Sequence, residues 1–162
     1  MASVTQQDIY EEVRTYLLGL FSCPPQTVIQ GYQNNSPLPN EAVVMTILFE
    51  NELDMAVSRY DLAADKTTVQ QSVEVTMQVD CYGPQAAARA RKLATLWKNH
   101  YTTAALKSCQ PLYSNSPKRL PIINEKSVYE DRWLVELVLQ YNPYFEHDQT
   151  FLEMPNTTLN NL

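Results

Sequence analysis

Apolar side chains at Ile9, Val13, Tyr16, Leu17, Leu20 and Phe21 recur three and four positions apart, while Glu11, Glu12 and Arg14 fall off that stripe. The spacing predicts an amphipathic helix with one buried face. Thr5, with Asp8 three residues later, offers a weakened capping box at its start, and Pro24-Pro25 ends it. Val28 and Ile29 suggest a short strand, and Gly31 to Pro39 reads as a shaped, turn-rich loop stiffened by Pro37 and Pro39. Ala42 to Phe49 is nearly all apolar and rich in β-formers, which predicts a central strand covered on both faces. An edge strand over Val57 to Leu62 and a turn near Asp65-Lys66 follow.

The clearest alternation is Val73, Val75, Met77, Val79 and Cys81 against Glu74, Thr76, Gln78 and Asp80, which predicts a strand with one core face and one wet face. Gly83-Pro84 stops that strand and opens a helix running to Tyr101, with Ala86, Ala90, Leu93, Leu96, Trp97 and Tyr101 on one face and Arg91 and Lys98 pointing away. A short helical turn through Ala104 to Leu106 and a strand at Leu112-Tyr113 come next. Trp133 to Tyr141 is a long strand, with Leu134 and Val138 on its second face, closed by Asn142-Pro143. The sum is a single α+β domain over residues 1–143: a mostly antiparallel β-sheet packed against one main helix, with the N-terminal helix nearby. Residues 144–162 read as a C-terminal extension or arm with little core of its own.

Composition changes this picture little. At 162 residues and 44% hydrophobic, the chain suits one core, and no apolar run approaches the roughly 20 residues of a membrane span, so no membrane partner is expected. The N-terminus lacks a signal-peptide pattern, and Cys23, Cys81 and Cys109 are too scattered for a disulfide framework or a metal knuckle. Gly19, Gly31 and Gly83 form no phosphate-cradling loop. His100 is expected in the last turn of its helix, where a charged form would suit the dipole, and His147, beside Glu146 and Asp148, reads as a solvated residue of the arm. The chain therefore reads as a non-enzyme, with no catalytic residue, cofactor site or metal site.

Charge changes more. The net charge of −6 argues against a general nucleic-acid binder. Between Cys81 and Asn124, however, stand seven bases, Arg89, Arg91, Lys92, Lys98, Lys107, Lys118 and Arg119, and no acid; this segment carries +7 and the remainder −13. Three explanations stand. The bases are compensated within the chain, or they meet the acidic surface of another copy head to tail and so generate a ring, or they touch nucleic acid through Arg91, Lys98, Lys118 and Arg119 with Trp97 or Tyr113 stacking. Arg89 borders the Leu93 and Leu96 stripe and is expected to pair with a carboxylate at a contact.

Three phrases carry a resemblance: Gln30 to Pro39 ahead of a hydrophobic strand, Val79-Asp80-Cys81-Tyr82-Gly83-Pro84 from strand to helix, and Gln140-Tyr141-Asn142-Pro143. In these, and in the order of its elements, the chain resembles the tailed-bacteriophage neck or tail-terminator (head-tail joining) proteins over about Val28 to Pro143. The resemblance implies a structural virion protein that forms a homo-oligomeric ring, commonly a hexamer, at the neck. Its partners would be neck or connector proteins and tail tube or sheath proteins, with DNA passing through the lumen without specific binding. It implies a place in the virion, and in the host cytoplasm during assembly. The family carries over no enzymatic residue. Candidate interface residues are Arg89, Arg91, Lys98, Lys118 and Arg119, with Gln33, Asn34 and Asn35 of the first phrase. The alternative is a nucleic-acid-binding or DNA-processing accessory protein that uses the basic 81–124 segment.

Overall fold

The first helix begins where its cap allows. Thr5 is extended, its hydroxyl accepts the Asp8 N–H at 3.3 Å, and the Asp8 carboxylate accepts the Thr5 N–H at 2.7 Å, so two donors at the helix start are satisfied reciprocally. This helix, α1, spans Gln6–Phe21 and ends at Ser22 in the left-handed region. Ile9, Val13, Leu17 and Leu20 lie on its buried stripe, and each such burial stabilises by about 1.5–3 kcal/mol.

The computed structural model describes residues 3–31, 38–120, 122–123 and 129–149. After a 3-10 turn at Pro25–Thr27 come strands β1 (Val28–Gln30), β2 (Val43–Glu52), β3 (Val57–Asp61), β4 (Lys66–Gln70) and β5 (Val73–Tyr82). Helices α2 (Ala86–Trp97) and α3 (His100–Ala105) follow, and then β6 (Gln110–Ser114), β7 (Lys118–Arg119), β8 (Ile122–Ile123), β9 (Tyr129–Glu130), β10 (Arg132–Tyr141) and β11 (Tyr144–Asp148). The main sheet has the order β1-β2-β5-β10-β6, with β7 also on β10. Only its β1–β2 pair is parallel. The α+β class and the largely antiparallel sheet are as the hydrophobic pattern predicts.

Both long helices lie on one face of this sheet. Val43, Met45, Val75, Met77, Val79, Val135, Leu137 and Leu139 turn their side chains to α1 and α2, and all are fully buried. Trp97 closes the core under α2: its indole N–H donates to the Val138 carbonyl at 3.1 Å, and its ring meets Tyr16 edge-on at 5.9 Å. A second sheet, ordered β11-β4-β3, extends from the end where Glu52, Val73 and Tyr141 lie.

Four expectations are corrected. Strand β2 is not central, because the ten-pair β5–β10 ladder holds the middle and β2 has only the three-residue β1 outside it. Nor is β2 covered on both faces: the helices occupy one side, a register shift falls between Ile47 and Phe49, and Leu48 and Phe49 are exposed. The second face of β5 is drier than alternation implies, since Thr76 and Asp80 are buried and Asp80 accepts from Arg132 Nε at 2.8 Å and Gln78 Nε2 at 2.6 Å. Finally, the helix predicted to reach Tyr101 breaks after Trp97. Asn99 caps a new helix by accepting the Tyr101 N–H, so His100 opens α3 instead of closing α2, and Tyr101 is exposed.

Candidate assembly interface

Gly83 sets where the basic segment begins. Its φ of +90° is one that L side chains rarely adopt, and a Cβ there would meet the Asn40 carbonyl at 2.8 Å. The turn it permits aims α2 back along β5 and β10, with Ala86, Ala90, Leu93, Ala94 and Trp97 buried and Arg91, Lys92 and Lys98 exposed. Arg91 and Lys98 share that outer side about two turns apart, roughly 10.5 Å along the axis.

The structure divides the seven bases into two groups. Arg89 is largely buried: its guanidinium donates to the Glu41 carbonyl at 2.9 Å, pairs with the Glu41 carboxylate at 3.4 Å, and lies over the Phe21 ring at 5.7 Å. The carboxylate expected beside Arg89 is thus one of its own chain. Arg119 pairs with Asp131, and Lys92 donates to the Leu20 carbonyl at the end of α1 at 2.7 Å. Arg91, Lys98, Lys107 and Lys118 are exposed and form no ion pair among the described residues. Internal compensation therefore accounts for part of the basic segment and leaves α2 and β7 with uncompensated positive charge. Gln33, Asn34 and Asn35 lie outside the described residues.

One proposed stacking residue is removed. Trp97 is fully buried and hydrogen-bonded in the core, so it is not available to a base, whereas Tyr113 is half-exposed on β6. Acidic residues are spread over several elements, among them Asp8, Glu11 and Glu12 on α1 and Asp61 and Asp148 on the second sheet, where these two flank Lys66 across β3, β4 and β11. Lys66 reaches the Glu146 carboxylate at 4.0 Å with both side chains about half exposed, an ion pair of little strength.

Sequence reasoning did not single out Glu12 or Arg132. Glu12, on α1, accepts the backbone N–H groups of Lys107 and Ser108 and so holds the turn that leads into β6. Burial, with Glu12 adding to it, pushes the neighbouring Cys109 thiol up to about 12; burial does the same to Cys81. Both thiols are neutral at ordinary pH. Arg132 holds Asp80 and lies over the Tyr82 ring at 5.8 Å, and the Asp80 carboxylate pushes its pKa further up. Each lies dozens of residues from the groups it serves, and no local motif marks it. Among the described residues, no three His, Cys, Asp or Glu side chains gather as a metal site requires.

Residues 7–161 match the family model described as "Phage neck terminator protein". No curated protein sequence matches the chain. Among solved structures, a chain from the virion of a native gene transfer agent particle superposes with a TM-score of 0.41 at 14% identity, covering 85% of this chain and 92% of that one.

Proposed function

This chain belongs to the phage neck terminator protein family, and from that premise we propose that it works as a non-enzymatic ring subunit at the head-proximal end of the tail. Copies associate head to tail into a ring, six being the expected number. The ring ends the tail tube or sheath on one side and meets the connector on the other, with assembly taking place in the host cytoplasm. Family membership over residues 7–161 carries this reading. The split of the bases supports it, because exposed cations without a carboxylate partner among the described residues suit a second protein surface. Net charge of −6 suits a lumen through which DNA slides without sticking. The nucleic-acid alternative loses one of its two stacking candidates with the burial of Trp97 and keeps the other, Tyr113.

Native mass spectrometry of the purified chain, with negative-stain imaging of the chain mixed with tail tubes, tests the reading. The expected result is a closed ring alone or at tube ends. A particle that stays monomeric and leaves the tubes uncapped would sink it.

A further inference from the structure

Helices α1 and α2 cover one face of the main sheet, and strand register shows what the other face carries. Tyr113 pairs with Val138, Val138 with Thr76 and Thr76 with Phe49, so these four stand in one row across β6, β10, β5 and β2. Their chain neighbours fix the side. Ser114 donates to the Ala94 carbonyl of α2, and Glu50 accepts from Gln6 of α1, so Tyr113 and Phe49, each one residue away, point from the helices. The register shift between Ile47 and Phe49 turns Phe49 outward, since strict alternation would set it beside Ile47 on the helix side. Val138 and Thr76 are buried, whereas Phe49 and Tyr113, three strand spacings or about 14 Å apart, are each about half exposed. An antiparallel sheet tolerates water on one face, but uncovered aromatic rings at both ends of a row mark a surface that another surface covers.

Two carboxylates bracket that row on the same face. Glu74 lies two residues before Thr76 on β5, and Glu136 lies two residues before Val138 on β10, opposite Gln78. Both are half-buried without an ion pair among the described residues, and four residues of strand, about 13 Å, separate their rows. Farther along the face, Asp80 is matched by Arg132, and Lys118 stands at the rim. Helix α2 presents the counterpart. Ala87, Ala88, Arg91, Thr95 and Lys98 are all exposed on its outer side, and Arg91 and Lys98 form no ion pair among the described residues. These two bases stand about 10.5 Å apart along the axis, and the side chains beside them are small enough for a second surface to come close. Acids and bases therefore agree in number and in spacing to within the reach of a lysine or arginine side chain.

We propose that α2 of one copy lies along β5 and β10 on the open sheet face of the next, with Arg91 and Lys98 against Glu74 and Glu136, and Ala88 and Thr95 between Phe49 and Tyr113. The occupant of the open face is a second copy of this chain. The joint repeats between copies the helix-on-sheet layering found within each. Because the two surfaces differ, the contact is heterologous and repeats around a ring. The inference rests on the ring reading and adds the surfaces that make the joint.

A charge-reversal cycle on the full chain tests it, with native mass spectrometry and sedimentation reading assembly and circular dichroism reading the fold. Arg91→Glu with Lys98→Glu, and separately Glu74→Lys with Glu136→Lys, are each expected to fold and to associate at least about tenfold more weakly than wild type. Combined in one chain, or mixed as two chains, the sets restore association. Ala88→Trp, a change on the exposed side of α2, blocks close approach and covers the case in which a reversed variant misfolds. If wild type forms rings and the folded variants form them equally well, the joint lies elsewhere and the inference fails while the ring reading stands. If only one reversal weakens association, or the combination does not restore it, the two surfaces meet other partners and the inference also fails. Wild type that never forms a ring, even on tail tubes, overturns the ring reading and the inference with it.

Discussion

Arg89 and Arg91 stand two positions apart on α2 and face different surroundings. Arg89 joins α2 to Glu41 and to the Phe21 ring at the end of α1, so Arg89→Ala removes packing and leaves a carbonyl without its donor. A loss of about 1–3 kcal/mol is expected in chemical denaturation, against a change within about 0.5 kcal/mol for the exposed Arg91→Ala. At the other end of the same joint, Gly83→Ala combines a left-handed φ with a contact at 2.8 Å to the Asn40 carbonyl. It should cost more than about 1 kcal/mol and lower the melting temperature without changing the oligomer that survives. Ionisation adds a further signature. Burial pushes Cys81 and Cys109 up to about 12, and burial with Glu50 does the same to Tyr141. Groups raised in the folded state hold their protons more tightly there, so their contribution is complete below the ordinary value and is lost as pH climbs toward 12. A stability profile should therefore fall from about pH 9 upward, and below that pH the half-buried Cys23 should be the cysteine that alkylating reagents reach in the native protein.

Among the elements, those half-buried in the main sheet were legible in the sequence. β5 and β10 show period-two alternation because each puts one face on the helices, and α1 shows its stripe and its cap for the same reason. β11 left no such trace. Phe145 and Glu146 to Asp148 are exposed, and the strand is held by backbone pairing to β4, which side-chain pattern does not report. The outer half of β2 misled in the opposite sense, since Leu48 and Phe49 are apolar yet uncovered. The break before α3 was written in Asn99, a good cap inside what otherwise reads as one helix. At the candidate interface, the exposed bases were visible as a charge run, but the partners of Arg89 and Arg119 were not, because pairing to Glu41 and Asp131 is decided by the fold. A truncation after Pro143 tests the backbone argument. Without β11, β3 and β4 are a lone hairpin, marginal by itself, and their amides should exchange at rates near those of an open chain. Amides of β5 and β10 should stay protected, because that ladder does not include β11.

For the molecule as a whole, folding and association should respond to salt differently. Four ion pairs are found among the described residues, and most of their side chains are partly exposed. At about 1 M salt, where the screening length shrinks to about 3 Å, the unfolding midpoint should hardly move, while association between copies weakens severalfold by sedimentation. A reversed order, with the fold salt-sensitive and association indifferent, would locate the split charge inside the monomer. Under the proposed function the chain also carries load, and the ladder between β5 and β10 bears on how it does so. Ten residue pairs run in unbroken antiparallel register there, whereas β1 is held to β2 by three. Tension along the two long strands has to part all ten pairs in shear, while tension on β1 peels a short seam. The chain therefore has a stiff spine and weak margins, and a pull applied to it gives way at the short seams beside Val28 and Lys118 before the long ladder parts.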